Sequence, residues 1–536
     1  MRALCLTVIV TLGCGPAFAG QPVEQVIDSH IDARLKADAV TPAPQADDST
    51  LVRRLTLDLV GRIPTPQETD AFVQSKDADK RAKLVDRLMS SPGYARYQAI
   101  QFDVMLSDRP GGGGKNGSLR DYLTKAIQDN RPWDQMFRDL MLPDDSDPAK
   151  KGASEFLRPK LGDADKLTSD VSVAFFGVNV SCAQCHDHPN VKDWKQDHFY
   201  GMKSFLARTY DASGFVAERE VGLVKFKPTK GPERPAKLMF LTGASVDTDT
   251  ARELSKDEQK KQKEAEEQSK KDKDKAKAPP PPKFSARAKL VEVALRPKES
   301  EFFARNIVNR LWHRFLGYGL VNPLDQMHSE NPASHPELLN ELAADVRGHG
   351  YDLRRLVRGV VMSRTYSRAS RYDSESHPEA NTFAVGRLKP LTPTQLSTSL
   401  KIATTDPKQF DTKPDEVEKR IEQIENAARG FAAGIAQPTD NFQIGVSEAL
   451  LFSNGDRMMK EFLTDSGGSL LGRVKDENDP AAVAKALVRN VLGRPATDAE
   501  VAALVEYTAK RADRPAEARK QVLWALLTCP EFRFNH

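Results

Sequence analysis

The chain has 536 residues, of which 39% are hydrophobic and 29% charged, a globular composition with room for about two to four domains. The net charge of +4 is small for this length, and there is no zinc-finger, RNP-type or helix-turn-helix pattern, so nothing argues for nucleic acid as a partner. No segment beyond the first twenty residues approaches the run of about 20 apolar residues that spans a bilayer.

In chain order, residues 1–19 read as a secretory signal. Arg2 is the basic start, residues 3–13 are apolar, and Ala17-Phe18-Ala19 is a small-x-small cleavage site. This predicts export to a periplasmic or extracellular compartment. The alternatives are a short buried helix, or a lipoprotein with Cys14 as its lipidated first residue. After the signal, Cys182, Cys185 and Cys529 remain, too few for a disulfide scaffold. Cys529, at the end of an apolar helical run, reads as a small core residue.

Residues 20–210 form a predicted helical domain. Val23, Val26, Ile27, Ile31 and Leu35 make an amphipathic stripe. Thr65, Pro66 and Glu68 sit as N-cap, first and third positions of a helix. Leu84, Val85 and Leu88 share a face, residues 111–114 are a glycine loop, and residues 122–141 are helical with a break at Pro132. Residues 171–180 are almost continuously apolar, and helix or buried strand fits equally. Residues 211–253 contain short strands, among them the alternation at 221–226 and the run 237–241. Residues 254–283, rich in Lys and Glu and then Pro, are a charged low-complexity insertion. Residues 284–536 are a second helical domain. Phe303, Ile307, Leu311 and Phe315 make one stripe. Ser334 and Glu337 read as a capping box, as do Thr392 and Gln395, and Asp352 as a cap. Further helices follow at 415–430, 480–492 and 498–510, and a helix rich in Leu and Trp ends the chain. The expectation is a mainly α protein: two helical domains joined by a short β-containing segment and the insertion.

The sharp chemical feature is Cys182-Ala183-Gln184-Cys185-His186, the CxxCH pattern of c-type haem attachment. Two thiols at this spacing add to the two porphyrin vinyl groups, and the histidine after them becomes an axial ligand of the iron. Met202, His198 and His188 are candidates for the second axial position, and Trp194, Phe199, Tyr200 and Phe205 for the walls of a pocket. Two other readings stay open. Cys182, Cys185 and His186 with His188 or His198 would make a Cys₂His₂ zinc site. The two cysteines would also close a tight disulfide. Function follows the same branches: an exported haem-binding redox or electron-transfer accessory protein with an unidentified redox partner, or an exported binding or assembly protein with a zinc- or disulfide-stabilised loop. A weaker third reading is a hydrolase built on Asn309, Arg310, His313, Asp325, His328 and His335. There is no G-x-S-x-G, H-E-x-x-H, Walker or dinucleotide-binding fingerprint.

The longer run, Ser181 through Cys182-Ala183-Gln184-Cys185-His186-Asp187-His188-Pro189, resembles the signature of the planctomycete-type cytochrome-like domain of unknown function 1549. Residues 51–61 and Pro64-Thr65-Pro66 resemble its N-terminal signature. Residues 302–312, 331–339, 350–353 and the final Glu531-Phe532-Arg533-Phe534-Asn535-His536 resemble its usual partner, domain of unknown function 1553. The resemblance implies an exported protein with a haem-like motif and no established activity. The insertion at 254–283 is a departure from the family.

Overall fold

The computed structural model describes residues 21–107, 118–260, 264, 279–374, 376–438, 446–453 and 455–536. The predicted signal with Cys14, the loop at 111–114 and most of the charged insertion lie outside the described residues. The fold is mainly helical, with strands confined to short two-stranded pairs. Among the described residues no helix is long and apolar enough to cross a membrane.

The N-terminal helices start and stop where local chemistry dictates. Val23–Ala37 buries the predicted stripe. Asp48–Val60 is capped by Asp47, whose side chain accepts from Thr50 N, and it ends at Gly61 with φ 74°. Pro66–Gln74 opens with the Thr65/Glu68 capping box. Leu119–Gln128 and Trp133–Met141 are separated by the break at Pro132.

The ambiguous apolar run is now decided. Ala164–Phe176 is a helix, and Gly177 ends it with φ 66°. A side chain could not sit at Gly177: a Cβ there would come within 2.8 Å of Asn306 Oδ1. The chain then turns extended through Val178 and reaches the CxxCH.

Strands Thr209–Ala212 and Phe215–Glu218 pair antiparallel, as do Lys225–Phe226 with Arg234–Pro235 and Leu238–Met239 with Ser245–Val246. Of the alternation at 221–226, only its last two residues are in a strand.

In the C-terminal half, Glu301–Leu316 buries Phe303, Ile307, Leu311 and Phe315. The Thr392/Gln395 box and the Asp352 cap form. The Ser334/Glu337 box does not. The N-cap of Pro336–Gly348 is His335, one residue later; Ser334 N donates to the Leu320 carbonyl at 2.8 Å, and its Oγ pairs with His335 Nδ1 at 3.1 Å. The Leu- and Trp-rich helix Pro515–Thr528 is not the last element. A one-turn helix, Pro530–Arg533, follows, and Phe534–Asn535 pairs with Lys389–Pro390. Cys529 is only partly buried, packed at the edge of a core, and burial pushes its thiol up.

Two hydrophobic cores result. The first takes side chains from residues 23 to 384, on both sides of the β segment. At its centre the Phe137 ring lies 4.6 Å from Phe175 and 4.9 Å from Phe303. The second collects residues 391–532 together with Leu57 and Ile63.

Candidate functional site: the CxxCH loop

The loop begins in a 3₁₀ turn, Ser181–Ala183. Asn179 makes it: its Oδ1 accepts from Ser181 N at 3.1 Å and from Ser181 Oγ at 2.7 Å, an Asx turn that aims the chain outward. Ala183 is fully buried, while Cys182 and Cys185 are exposed, free thiols on either side of it. The Gln184 carbonyl accepts from Tyr200 OH at 3.1 Å and Gln196 Nε2 at 3.3 Å, and Gln184 Nε2 donates to Asp165. Asp187 Oδ1 accepts from Gln196 N at 3.0 Å, at the first turn of the helix Gln196–Leu206. The carboxylate complements the helix N-terminus.

The three histidines of this region differ in their hydrogen bonds, and the difference decides which nitrogen each can offer. His186 is exposed, and its Nδ1 lies 2.7 Å from the Asp187 carbonyl. A carbonyl only accepts, so Nδ1 carries the proton and Nε2 keeps its lone pair. His188 Nδ1 instead accepts from Asn190 N at 3.3 Å and Val191 N at 3.1 Å. His198 Nδ1 accepts from Lys195 N at 3.1 Å. A neutral ring whose Nδ1 accepts holds its proton on Nε2 and has no lone pair left for a metal. Burial also holds the His198 ring below the usual imidazole range, which favours this neutral form. Met202 is fully buried in the first core. The structure therefore gathers Cys182, Cys185 and His186 on one exposed loop, commits His188 and His198 to backbone donors, and withdraws Met202.

The aromatic residues near the motif are packed against the body of the protein. Tyr200 stacks on Phe226 at 4.4 Å, Trp194 lies 5.9 Å from Phe302, and Phe199 and Phe205 are fully buried. A covalently held porphyrin asks for two reachable thiols and one open imidazole nitrogen, and this donor set meets that demand. The apolar cover is not pre-formed by these four side chains. Among the described residues no group of three or more His, Cys, Asp or Glu converges as a metal site.

The second polar cluster does not form one pocket. Asn309 is fully buried and pairs both ways with the Val321 backbone, at 2.8 and 2.9 Å. Arg310 reaches Asn306 Oδ1 at 2.9 Å and the Val173 carbonyl at 2.6 Å, and burial pushes it down to about 10 despite Asp325 nearby. Asn309 ties its helix to the loop that follows it, and Arg310 ties it to the helix Ala164–Phe176. His335 lies against Phe383, 5.6 Å between ring centres. Asp325, near Arg310, and His328 lie on the flank of the CxxCH loop; burial lowers the His328 pKa, with Asp193 and His188 acting on it in opposite directions. Asn179, Asp193 and Ser329 escaped the sequence reading. Only the Asn-x-Ser turn signal at 179–181 was there to be found.

Burial pushes the His335 imidazole down to about 4, and Arg34 and His30 act in the same direction. Unfolded, the ring protonates near pH 6.5. Its contribution to stability is thus complete above pH 6.5 and lost as pH falls toward 4. Replacing it by Gln should flatten the fall in unfolding free energy between pH 7 and 4 by about 3 kcal/mol at most. Urea titrations at several pH values check this, and equal slopes for His335→Gln and wild type would refute it.

Residues 26–211 match the family described as protein of unknown function DUF1549, and residues 286–432 match protein of unknown function DUF1553. The two matches, in this order in one chain, are the pair of domains that the sequence motifs resemble. No curated protein and no solved structure matches it significantly.

Proposed function

We propose that this protein is an exported redox or electron-transfer accessory protein that carries a c-type haem on Cys182 and Cys185, with His186 as axial ligand. The observation that carries the reading is the hydrogen-bond state of the loop. Of the three histidines there, His186 is the one whose Nε2 lone pair is left free, and it follows directly on two exposed thiols. Asp187 supports it twice. Its carbonyl holds Nδ1–H, which orients the ring and raises its basicity as an outer-shell acceptor does for other ligating histidines. Its side chain anchors the loop to the helix behind. When bound, the haem would supply a one-electron couple, tuned by its axial ligand and its exposure. Because the thiols lie at the surface, that couple would be reachable by a redox partner.

The test is expression of the whole chain with a cytochrome maturation system. Haem should stay on the polypeptide through a denaturing gel, with a thioether-type absorption band. Cys182→Ala with Cys185→Ala should abolish both signals and leave the helical circular dichroism unchanged. No covalent haem, in cells that load a control cytochrome, overturns the proposal. Stoichiometric zinc without iron would then support the metal-stabilised alternative, and a Cys182–Cys185 disulfide by mass spectrometry the redox-inert one.

A further inference from the structure

The loop that carries the CxxCH is gripped on both flanks by residues of the other domain. Upstream, Asn179 N donates to the Asp325 carbonyl at 2.8 Å and Met327 N to the Gly177 carbonyl at 3.0 Å. Val178 and Gln326 pair between them as an antiparallel bridge. Asn179 Nδ2 also donates to Asp325 Oδ2 at 3.3 Å. This is the same Asn179 whose Oδ1 forms the turn into Cys182. Downstream, both oxygens of Asp193 are taken by Ser329, from its N and from its Oγ, each at 2.8 Å. The next residue, Trp194, accepts His188 N at 2.8 Å, so this anchor reaches back to the end of the motif. Behind the loop, Asn306 donates to the Ala174 carbonyl at 2.8 Å and Arg310 to that of Val173, which holds the helix end that feeds the turn.

We infer that residues 325–329 of the second domain are a clamp that orders the CxxCH loop, so that the site is assembled from both domains. Between its two anchors the loop has one 3₁₀ turn and exposed side chains at Cys182, Cys185, His186 and Asp187. A segment with so little buried apolar surface opens locally unless its ends are held. Asp325 and Ser329 do this from one short stretch, Asp325 before the motif and Ser329 after it. They are positioning residues: they touch neither thiol nor the His186 ring in any hydrogen bond of the structure. This gives the second domain a role that neither half could fill alone.

The inference takes its meaning from the reading of residues 182–186 as the functional loop, yet its test does not depend on haem. Hydrogen–deuterium exchange on the full chain, read by mass spectrometry, compares wild type with Asp193→Ala, Ser329→Ala and the double variant. Amides at 181–194 should exchange about tenfold faster in Asp193→Ala, which loses both hydrogen bonds to Ser329, and about threefold faster in Ser329→Ala, which loses the Oγ bond and keeps the backbone one. The double variant should match Asp193→Ala, because the Ser329 hydroxyl has already lost its acceptor there. Exchange in the helix Pro480–Leu492 should not move. Ser329 is exposed, so that variant folds even if Asp193→Ala does not. Unchanged exchange at 181–194 in Ser329→Ala overturns the clamp, whether or not haem is present. A loop that loosens but never accepts haem upholds the clamp and refutes the haem reading.

Discussion

Asp58→Ala should destabilise the protein by about 3–5 kcal/mol, the cost expected when one partner of a buried ion pair is removed. Asp58 is only 6% exposed and each of its oxygens is used twice. Oδ1 accepts from Lys389 Nζ and Asn535 Nδ2, both at 2.8 Å. Oδ2 accepts from Lys389 Nζ at 2.8 Å and Tyr366 OH at 2.9 Å. Without the carboxylate, the Lys389 charge, already disfavoured by burial, keeps only the carbonyls of Arg314 and Phe315. Lys389 and Asn535 face each other across the last strand pair, so the C-terminal tail should loosen with it. Chemical unfolding of full-length variants measures the cost. Adding Lys389→Met to Asp58→Ala should recover part of the loss, because it removes the stranded charge. A single-variant cost below about 1 kcal/mol, or strict additivity of the two changes, would refute this account.

Phe137→Ala should cost a similar amount, about 3–5 kcal/mol, from lost apolar transfer and the cavity left behind. Its ring is fully buried and touches Phe175, Phe176 and Phe303, with the Phe175 and Phe303 centroids both within 5 Å. Phe303 belongs to the second family domain and the others to the first. The loss should therefore spread. Hydrogen exchange in Glu301–Leu316 should rise together with that in Trp133–Met141. Wild-type exchange in Glu301–Leu316 would mean that the two domains do not share this core.

The family signatures gain a physical meaning from these contacts. In the run 51–61, Arg53 donates to the carbonyls of Glu531 and Phe532, Arg54 to those of Tyr366, Arg368 and His536, and Asp58 binds Asn535. The N-terminal signature and the final six residues are two sides of one buried polar network. Each charged group there needs its partner in place, because an unpaired charge in the interior is far costlier than a paired one.

The mainly helical class, several helix starts and the motif were legible in the chain alone. Periodic apolar stripes, capping boxes at Thr65 and Thr392, and the Asp352 cap are local signals, carried by residues within a turn of one another, and each formed as expected. The CxxCH was legible for the same reason: its chemistry lies in five consecutive residues. Only the tertiary structure decided what depends on distant partners. Ser334 is not the cap: its N–H is held by the Leu320 carbonyl, fourteen positions away in sequence, and the helix starts one residue later than the pattern suggests. The apolar run at 171–180 divides at Gly177, helical up to Phe176 and extended after it, at a point where Asn306 leaves no room for a Cβ. The three histidines look alike in the sequence, and it is the backbone donors folded against His188 and His198 that leave His186 as the ring with a nitrogen to offer. Hydrogen bonds between residues more than a hundred positions apart, such as Ser329 to Asp193, leave no periodic trace in a single chain, and that is why the second domain's hold on the loop appears only in three dimensions.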